Sequence, residues 1–352
     1  MQLRNKYDKA TLQKKLENEH FDRITLSFYR YVVIENVEAM REELYKKFDE
    51  LHVLGRIFIA REGINAQLSV PDFNFEKFRK LVDSMKEFSQ IPFKIAVEEN
   101  KDSFYKLIVR IRTRIVGDGL ADDAYDVTNV GRHLSAREWN DAMDQAGTVV
   151  VDMRNHYESE VGYFNNAFLP QADTFKEELP MVLDYLKDKK DSKVLLYCTG
   201  GIRCEKASAF LKHHGFEDVN QLHGGIIDYA RQVKAENLET KFTGKNFVFD
   251  DRMGERITED IVATCHQCGA LCDDHVNCAN DDCHLLFIQC DKCAAEMNGC
   301  CTPNCKEVAS LPEEEQKKLR KGKRKLHAHA VHKSRLRPNL KEILQKENRP
   351  AL

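Results

Sequence analysis

The chain has 352 residues, of which 42% are hydrophobic, and its formal net charge at pH 7 is −3. This length and composition suffice for two or three cores of ordinary size in a soluble multidomain protein. No run of about 18 uninterrupted apolar residues is present, and the initial MQLRNKYDKATLQKK lacks an apolar segment, so we expect neither a membrane-spanning helix nor a secretory signal. The expected location is the cytoplasm, without membrane association.

The first 115 residues are predicted to form an extension and one α+β domain. We assign residues 1–23 to an N-terminal helix or extension, and residues 24–115 to a domain with the pattern strand, helix, strand, strand, helix, strand. This is the βαββαβ order of a ferredoxin-like unit. The segments are, in order, ITLSFYRYVVI, VEAMREELYKKFDELH, GRIFIAREG, INAQLSV, FNFEKFRKLVDSMKEF and PFKIAVEE.

Several residues of this domain have both a functional and a structural interpretation. Tyr29 and Tyr31 share one face of the first strand, where they either stack on an unpaired base or belong to the core. The hairpin around Gly63 either presents Arg61 and Asn65 to a substrate or is only a tight turn.

A linking stretch leads out of the first domain. Arg110, Arg112 and Arg114 stand at alternating positions, so one face of a strand here would be basic. Contact with a nucleic acid and solvation of an exposed sheet edge explain this pattern equally well. We assign residues 116–131 to a linker.

Residues 132–240 are predicted to form an α/β domain with a parallel sheet. TVVVDMR and KVLLYC are short apolar runs, typical of strands that are covered on both faces. They alternate with amphipathic helices in SAREWNDAMDQ, FKEELPMVLDYLKD and EKASAFLKHHG. In such sheets the ligand site lies beyond the carboxyl ends of the strands, which is where Cys198 falls.

The loop CTGGIR, from Cys198 to Arg203, has the composition of an anion cradle. Its glycines let successive N–H groups turn inward, and the following helix directs its positive dipole end at the same point. We therefore expect the Cys198 thiol to be ionised and reachable, able to act as a nucleophile or to carry a persulfide. The alternative is an inert buried cysteine that ends a strand. The cradle residues are Thr199, Gly200, Gly201 and Ile202.

The length of this loop favours sulfur chemistry, because phosphate monoester hydrolysis on a comparable loop usually uses one more residue. Three motifs in order resemble the rhodanese domain. VVVDMRNHYESEVGYFNNA is similar to its aspartate-arginine strand end, CTGGIRCEKAS to its active-site loop, and QLHGGIIDYA to its closing Gly-Gly helix.

A wider resemblance covers residues 20–305. SFYRYVVI, REGINAQLSVP, VDMRNHYE, YCTGGIRCEKAS, GKNFVFDDRMGERI, CHQC and CHLLFIQCDKC together resemble the bacterial tRNA uridine(34) hydroxylase family. The resemblance implies an oxidoreductase that converts the wobble uridine of tRNA to 5-hydroxyuridine. It further implies molecular oxygen as co-substrate with an unidentified reductant, the anticodon region of tRNA as partner, and Cys198 as the catalytic residue.

The other residues around the loop are expected to support this cysteine. The loop amides and Arg203 would keep the sulfur anionic before it adds to C6 of uracil, which would make C5 reactive toward oxygen. Asp152 and Arg154, at the end of the earlier strand, would pair and brace the loop. Cys204 either resolves a persulfide or sulfenate by forming a disulfide, or simply packs beneath the loop.

A cysteine-rich domain is assigned to residues 241–310. Cys265 and Cys268 form one C-x-x-C, Cys290 and Cys293 another, and the 21 residues between them are typical of knuckles that clamp one tetrahedral zinc. Structural zinc would account for the folding of a segment with little apolar content, and an iron–sulfur cluster, disulfides and free thiols are the alternatives. The remaining cysteines, together with three histidines, could supply a second site: Cys272, Cys278, Cys283, Cys300, Cys301 and Cys305, with His266, His275 and His284.

Residues 311–352 are predicted to form a basic tail. Between Lys317 and Arg337 there are ten Lys or Arg and no acidic residue, a block that suits a phosphate backbone or is only a solvated, disordered tail. The candidate RNA-binding residues are Lys317, Lys318, Arg320, Lys321, Lys323, Arg324 and Lys325.

Two classes of function compete at this point. The whole-chain resemblance and the basic tail favour a tRNA-modifying hydroxylase, whereas the isolated loop suggests a rhodanese-type sulfurtransferase that carries a cysteine persulfide. A non-catalytic adaptor is a third option, and the intact CTGGIR loop counts against it. The sequence does not indicate an oligomeric state.

Overall fold

The structure, a computed structural model, describes residues 7–96, 103–121, 124–320 and 340. After a first helix, a five-stranded sheet is covered on one face by two helices. The elements are helix α1 (Lys9–Glu17), strand β1 (Arg23–Tyr31), helix α2 (Val37–Glu50), strands β2 (Leu54–Ala60) and β3 (Gly63–Pro71), helix α3 (Phe75–Ser84), and strands β4 (Lys94–Ile95) and β5 (Leu107–Ile111).

The first sheet has the strand order β4-β1-β3-β2-β5. Strands β1 to β4 are antiparallel and give the predicted ferredoxin-like arrangement, while β5 is added beside β2 in parallel orientation. Because side chains alternate along β1, Leu26 and Phe28 enter the core with Phe78 of α3, and Tyr29 and Tyr31 lie on the opposite face. The two tyrosines therefore do not belong to this core.

The three alternating arginines do not form one basic strand face. Strand β5 ends at Ile111, so only Arg110 lies within it. Arg114, beyond the strand, turns back to Glu62 in the β2–β3 hairpin, with 3.2 Å between Nη1 and a carboxylate oxygen. The sequence could not predict this ion pair, because it depends on how β5 joins the sheet.

The second domain is built on a parallel sheet. Its elements are β6 (Arg132–Leu134), α4 (Ala136–Met143), β7 (Val149–Asp152), α5 (His156–Ser159), β8 (Gly162–Phe164), α6 (Phe175–Leu186), β9 (Val194–Tyr197), α7 (Ile202–His213), β10 (Val219–Leu222) and α8 (Gly225–Glu236). The strand order of the parallel sheet is β6-β10-β9-β7. Leu196 packs on one face with the helices α6 and α7, while Leu195 and Tyr197 pack on the other with α4 and α8.

The cysteine-rich part has short elements and small cores. Phe247, Leu286 and Ile288 pack with several cysteines in one core, and Phe287 packs with others in a second. Among the described helices, none has both the length and the apolar content that a membrane span requires. The elements are β11 (Phe242–Asn246), β12 (Glu255–Arg256), β13 (His275–Asn277), β14 (Leu286–Ile288), α9 (Asp291–Met297), α10 (Pro303–Ser310) and α11 (Glu313–Arg320).

Candidate active site and metal-binding cysteine groups

The CTGGIR loop joins the buried strand β9 to helix α7. Gly201 has φ of 90°, a left-handed conformation that glycine adopts without strain, and α7 begins directly after it. The turn brings the backbone N–H of Gly201 to 3.1 Å from the Cys198 sulfur. Glycine at this position thus permits the inward-facing amides that the sequence predicts.

The amino-terminal end of α8 closes the loop from the other side. The backbone N–H groups of Ile226 and Ile227 donate to the carbonyl oxygens of Cys198 and Thr199, at 3.1 and 3.2 Å. Gly225 makes this approach possible, because a Cβ there would lie 2.5 Å from the Cys198 carbonyl oxygen. The Gly-Gly motif is therefore needed for two reasons, the turn itself and the close approach of two backbones.

Cys198 is held as a thiolate. Burial by itself would raise the pKa of this thiol. A hydrogen bond from Cys204, the positive charge of Arg203 and hydrogen bonds from the backbone N–H groups of Arg203 and Cys204 outweigh that effect and lower the pKa to about 5. At neutral pH the sulfur is therefore charged, in agreement with the electrostatic argument from the loop sequence.

The expectation that this thiolate is reachable from solvent is wrong for the structure as it stands, since Cys198 has 0% exposed surface. The first domain covers the loop: a Cβ on Gly201 would lie 2.9 Å from the Tyr29 hydroxyl, and one on Gly200 would lie 3.9 Å from Cδ of Lys94. Both covering residues come from the ferredoxin-like sheet, so the loop sequence alone could not reveal them.

Arg203 does not point a free charge at the sulfur. Its guanidinium donates two hydrogen bonds to the buried carboxylate of Glu158, at 2.6 and 2.8 Å. The Thr199 hydroxyl donates to the same carboxylate at 3.1 Å. Arg203 therefore fixes the loop to helix α5, and it lowers the pKa of Cys198 from within an ion pair.

Asp152 and Arg154 form a second ion pair, in which both side chains are fully buried. Nε and Nη2 of Arg154 donate to the Asp152 carboxylate at 2.9 and 2.7 Å, and Nη2 also donates to the carbonyl oxygen of Gly162 at 2.6 Å. Asp152 pairs in register with Tyr197, which precedes Cys198. The pair thus lies beside the strand end that carries the reactive cysteine.

Cys204 lies at the base of the loop, fully buried. Burial, the hydrogen bond to Cys198 and the negative charge of that sulfur raise the pKa of Cys204 well above its ordinary value. The thiol of Cys204 is therefore protonated at neutral pH and donates to the thiolate. In this state it stabilises Cys198 and does not compete with it as a nucleophile.

The first domain is joined to helix α7 by partly buried polar contacts. The hydroxyl groups of Tyr29 and Tyr31 donate to the Glu205 carboxylate at 3.0 Å and to the carbonyl oxygen of Ile202 at 3.2 Å. The Lys206 ammonium lies 3.0 Å from a carboxylate oxygen of Glu62 in the β2–β3 hairpin. These contacts hold the ferredoxin-like sheet over the reactive loop.

The cysteine-rich part contains two groups of four thiols, and within each group the sulfur atoms lie within 4.8 Å of one another. Neighbouring sulfurs are 3.6 to 3.7 Å apart. A tetrahedral ion with bonds of about 2.3 Å to sulfur separates its ligands by about 3.8 Å, so both groups can hold a metal ion. One group is Cys265, Cys268, Cys290 and Cys293, and the other is Cys278, Cys283, Cys301 and Cys305.

Two of the candidate cysteine ligands and the three candidate histidines lie outside both groups. Cys272 packs in the core beside the first group, and Cys300 packs in the core beside the second. Spacing alone could not exclude them, because six cysteines remained after the two C-x-x-C pairs were assigned. The tertiary structure determines which of the six approach one another, and it brings Cys278, Cys283, Cys301 and Cys305 together.

Few of the candidate RNA-binding residues can be placed. Lys317 and Lys318 lie on α11, where Lys317 contacts Glu313 and Glu314 at 3.0 and 3.1 Å. The side chain of Arg320 lies outside the described part, as do four further candidates: Lys321, Lys323, Arg324 and Lys325.

Three residues of the site were not predicted from the sequence. Glu158 binds the loop arginine, Glu205 binds Tyr29, and Lys94 lies against the loop. Each comes from a separate element, so its proximity is a tertiary result. The acidic segment NHYESE after the aspartate-arginine strand end was the one local indication that a carboxylate faces Arg203.

Family profiles match three consecutive segments of the chain. The UPF0176 acylphosphatase like domain matches residues 23–115, the Rhodanese-like domain matches residues 135–232, and the Rhodanase C-terminal domain matches residues 243–306. A solved structure of the rhodanese-like domain from an Anabaena sp protein covers 33% of this chain and 80% of its own, at 17% identity and a TM-score of 0.26.

Curated relatives cover nearly the whole chain. A protein of Leptospira interrogans serogroup Icterohaemorrhagiae serovar Lai is 58% identical over 341 residues, which are 97% of this chain and 93% of the relative. Proteins of Pectobacterium atrosepticum and Escherichia fergusonii are 50% and 49% identical over 322 residues, 91% of this chain and 91% and 92% of theirs. All three bear the name tRNA uridine(34) hydroxylase.

Proposed function

The chain belongs to the tRNA uridine(34) hydroxylase family, and we propose that it converts the wobble uridine of tRNA to 5-hydroxyuridine with Cys198 as the catalytic residue. It is an oxidoreductase whose substrate is tRNA. The observation that supports the role of Cys198 most strongly is the lowered pKa of its thiol, about 5, at the end of a parallel strand. A nucleophile must be deprotonated to attack, and this sulfur is deprotonated at neutral pH.

The thiolate would act by adding to C6 of the uracil ring. The new sulfur–carbon bond pushes the electron pair of the C5–C6 double bond toward C5 and O4, so that C5 can form a bond to oxygen. Loss of the C5 proton and expulsion of the Cys198 thiolate then restore the double bond. The sulfur leaves unchanged, so the cysteine is needed for every turnover but is not consumed.

The oxidant in this proposal is molecular oxygen. One oxygen atom enters the base and the other is released as water, which requires two electrons and two protons from a reductant. Oxygen first forms a bond to C5, and the reductant then cleaves the oxygen–oxygen bond. We assign the two cysteine groups a structural role, with zinc as the metal that four thiolates favour.

Sulfur transfer is the second candidate, and the same loop favours it. A thiolate ringed by main-chain donors can also hold a terminal sulfur atom as a persulfide. The two functions differ in their product, because one adds oxygen to tRNA and the other adds sulfur to an acceptor.

Nucleoside analysis of tRNA from cells that lack the protein separates these functions. We expect 5-hydroxyuridine to be lost and thiolated nucleosides to remain; the reverse pattern would support sulfur transfer and contradict hydroxylation. Growth of the complemented cells under dioxygen labelled with the heavy isotope tests the oxidant, since the label should appear in 5-hydroxyuridine. An unlabelled product would show that the oxygen atom comes from water.

A further inference from the structure

A cavity of about 330 Å³ lies between the helix-free face of the first sheet and the Cys198 loop. The sheet contributes Tyr29, Phe58 and Asn65 from three neighbouring strands, and the loop contributes Gly200 from the opposite side. Its volume is at the lower end of the range of small-molecule pockets, about 300 to 1,000 Å³. The cavity is therefore suited to one small planar group and not to a folded segment.

The walls combine aromatic rings with a few polar groups. Tyr29, Phe58 and Phe249 are half-buried and line the cavity together with the side-chain amides of Asn65 and Gln67. Half-buried aromatic rings provide flat apolar surfaces for an unpaired base, and amides can read its carbonyl and N–H edge. This composition favours a nucleobase over an aliphatic ligand.

Lys94 supplies an ammonium group at this cavity. The residue is 5% exposed, and its Nζ lies 3.9 Å from the centre of the Tyr29 ring. Burial lowers the pKa of Lys94 to about 8, against the opposing charges of Asp228, Cys198 and Glu205. In the part of the chain that the structure describes, no carboxylate lies within salt-bridge distance of Nζ, although a buried ammonium is costly without a partner.

The other cations of the cavity are already occupied. Arg203 binds Glu158, and Arg252 binds Asp250 and Glu255 at 2.6 Å each. Arg56 donates a hydrogen bond from Nη1 to the carbonyl oxygen of Phe249 at 3.2 Å. Among the residues that the structure describes, Lys94 is thus the buried cation at this cavity that has no hydrogen-bonding partner in the protein. A ligand would supply that partner. Because the charge is held next to the loop, a ligand atom that gains negative charge during reaction would be stabilised there.

We propose that this cavity receives the wobble uracil, extruded from the anticodon loop, and that Lys94 donates a hydrogen bond to its O4 atom. The inference rests on the proposed function and adds the binding site to it. Addition of a thiolate at C6 places negative charge on O4, so the Lys94 ammonium binds the adduct more strongly than the substrate. Thr199 and Gly200, which follow Cys198 in the loop, line the same cavity. The aliphatic part of Lys94 lies against Gly200, so a base that displaces it comes to lie against the reactive loop.

Photo-crosslinking of the unaltered protein tests where the base binds. An anticodon stem-loop with 5-iodouridine at the wobble position is irradiated in the complex, and the crosslinked peptides are identified by mass spectrometry. We expect crosslinks to Tyr29, Phe58 or Phe249. Crosslinks confined to surfaces away from the cavity would overturn the inference while leaving the proposed function intact.

Substitution of Lys94 tests its role in the reaction. The assay uses clarified extract of the deletion strain as the source of reductant. We expect Lys94→Met to lower kcat about tenfold to a hundredfold and to leave the KM for tRNA within about twofold, because the hydrogen bond from Lys94 strengthens mainly in the adduct. Lys94→Arg, which keeps the charge, should recover part of the loss. Lys80→Met, an exposed change on α3 behind the sheet, is the matched control and should behave as the unaltered protein.

The two results together separate the failure of the inference from the failure of the function. Wild-type kcat in Lys94→Met would remove Lys94 from the proposal. If Lys94→Met does not fold, as judged by its thermal unfolding, the crosslinks on the unaltered protein decide the site. If tRNA from the deletion strain retains its 5-hydroxyuridine, the proposed function itself is wrong, whatever the crosslinks show.

Discussion

The sulfur of Cys198 combines full burial with a negative charge, and each property has its own cause. The charge comes from local donors: the Gly201 N–H at 3.1 Å, the protonated thiol of Cys204 and the Arg203 ion pair. The burial comes from the core of its own domain, where Cys198 packs with Leu196, and from Tyr29 and Lys94 of the other domain, which cover the loop glycines. Removing the cover should therefore change access to the sulfur more than its charge.

Titration of this thiol is the first prediction. The absorbance of the thiolate, taken as the difference between the protein and its Cys198→Ser variant, should appear as the pH rises through about 5. The pKa of Cys198 in the folded protein lies below that of an ordinary cysteine, so the thiolate adds to the free energy of unfolding. This contribution is fully present above the pKa of an ordinary cysteine and is lost as the pH falls through about 5. A transition at the ordinary pKa of a cysteine would contradict this picture.

The sequence allowed the charge of Cys198 to be predicted but not its burial. The two glycines and the arginine of CTGGIR act within one loop, and their effect on a thiol follows from general principles. Tyr29 and Lys94 are more than 100 residues away in the chain, and nothing in their own segments indicates which loop they cover. The pairing of Arg203 with Glu158 was missed because it joins two separate elements, and the acidic segment NHYESE was only a local indication of it.

Glu158→Gln tests the buried ion pair with Arg203. Removing one partner leaves the other charge buried without compensation, which we expect to cost about 3 to 5 kcal/mol in the free energy of unfolding by urea. Asp184→Asn removes the exposed partner of Lys187 and should cost less than about 1 kcal/mol. Equal effects of the two substitutions would show that the Glu158 pair does not hold the loop.

The contact between helix α8 and the reactive loop depends on one glycine. Gly225 has φ of 69°, and a Cβ there would meet the carbonyl oxygens of Cys198 and Thr199 at 2.5 and 2.7 Å. Both atoms belong to the backbone, so the loop cannot yield without losing the hydrogen bonds from Ile226 and Ile227. The QLHGGIIDYA motif allowed a helix start to be predicted, but the close approach of the two backbones depends on how α8 packs against the loop.

Gly225→Ala and Gly147→Ala form a matched pair. Gly147 has φ of 80° but nothing within 4 Å of its added Cβ, so its substitution should cost only the backbone strain, about 1 to 2 kcal/mol. Gly225→Ala should cost about 1 to 3 kcal/mol more, because overpacking adds to the same strain. Equal shifts in unfolding free energy would mean that α8 is free to move away from the loop.

Across the whole molecule, three folded parts meet at one loop. The ferredoxin-like sheet covers the loop through Tyr29 and Tyr31, and the segment after β11 contributes Phe249 to the same cavity. The fold of each domain was predictable from its own pattern of apolar residues, because that pattern is local. The packing of one domain on another was not, because it depends on polar contacts such as that between Lys206 and Glu62.

The metal content of the protein tests whether the cysteines form two separate metal-binding groups. We expect two zinc ions per chain by elemental analysis, and the loss of one ion in Cys290→Ser and of the other in Cys301→Ser. Cys272→Ser is the control, because Cys272 lies outside both groups, and it should keep both ions. Loss of an ion in Cys272→Ser, or retention of both in Cys301→Ser, would refute this division.

Complementation of the deletion strain with Cys198→Ala tests the catalytic role of this cysteine most directly. The measurement is the amount of 5-hydroxyuridine in tRNA, with protein levels matched and with Cys272→Ser as the control for loss of a cysteine elsewhere. We expect Cys272→Ser to restore the modified nucleoside fully and Cys198→Ala to restore none. Normal 5-hydroxyuridine in the Cys198→Ala strain would contradict the catalytic role of the buried thiolate.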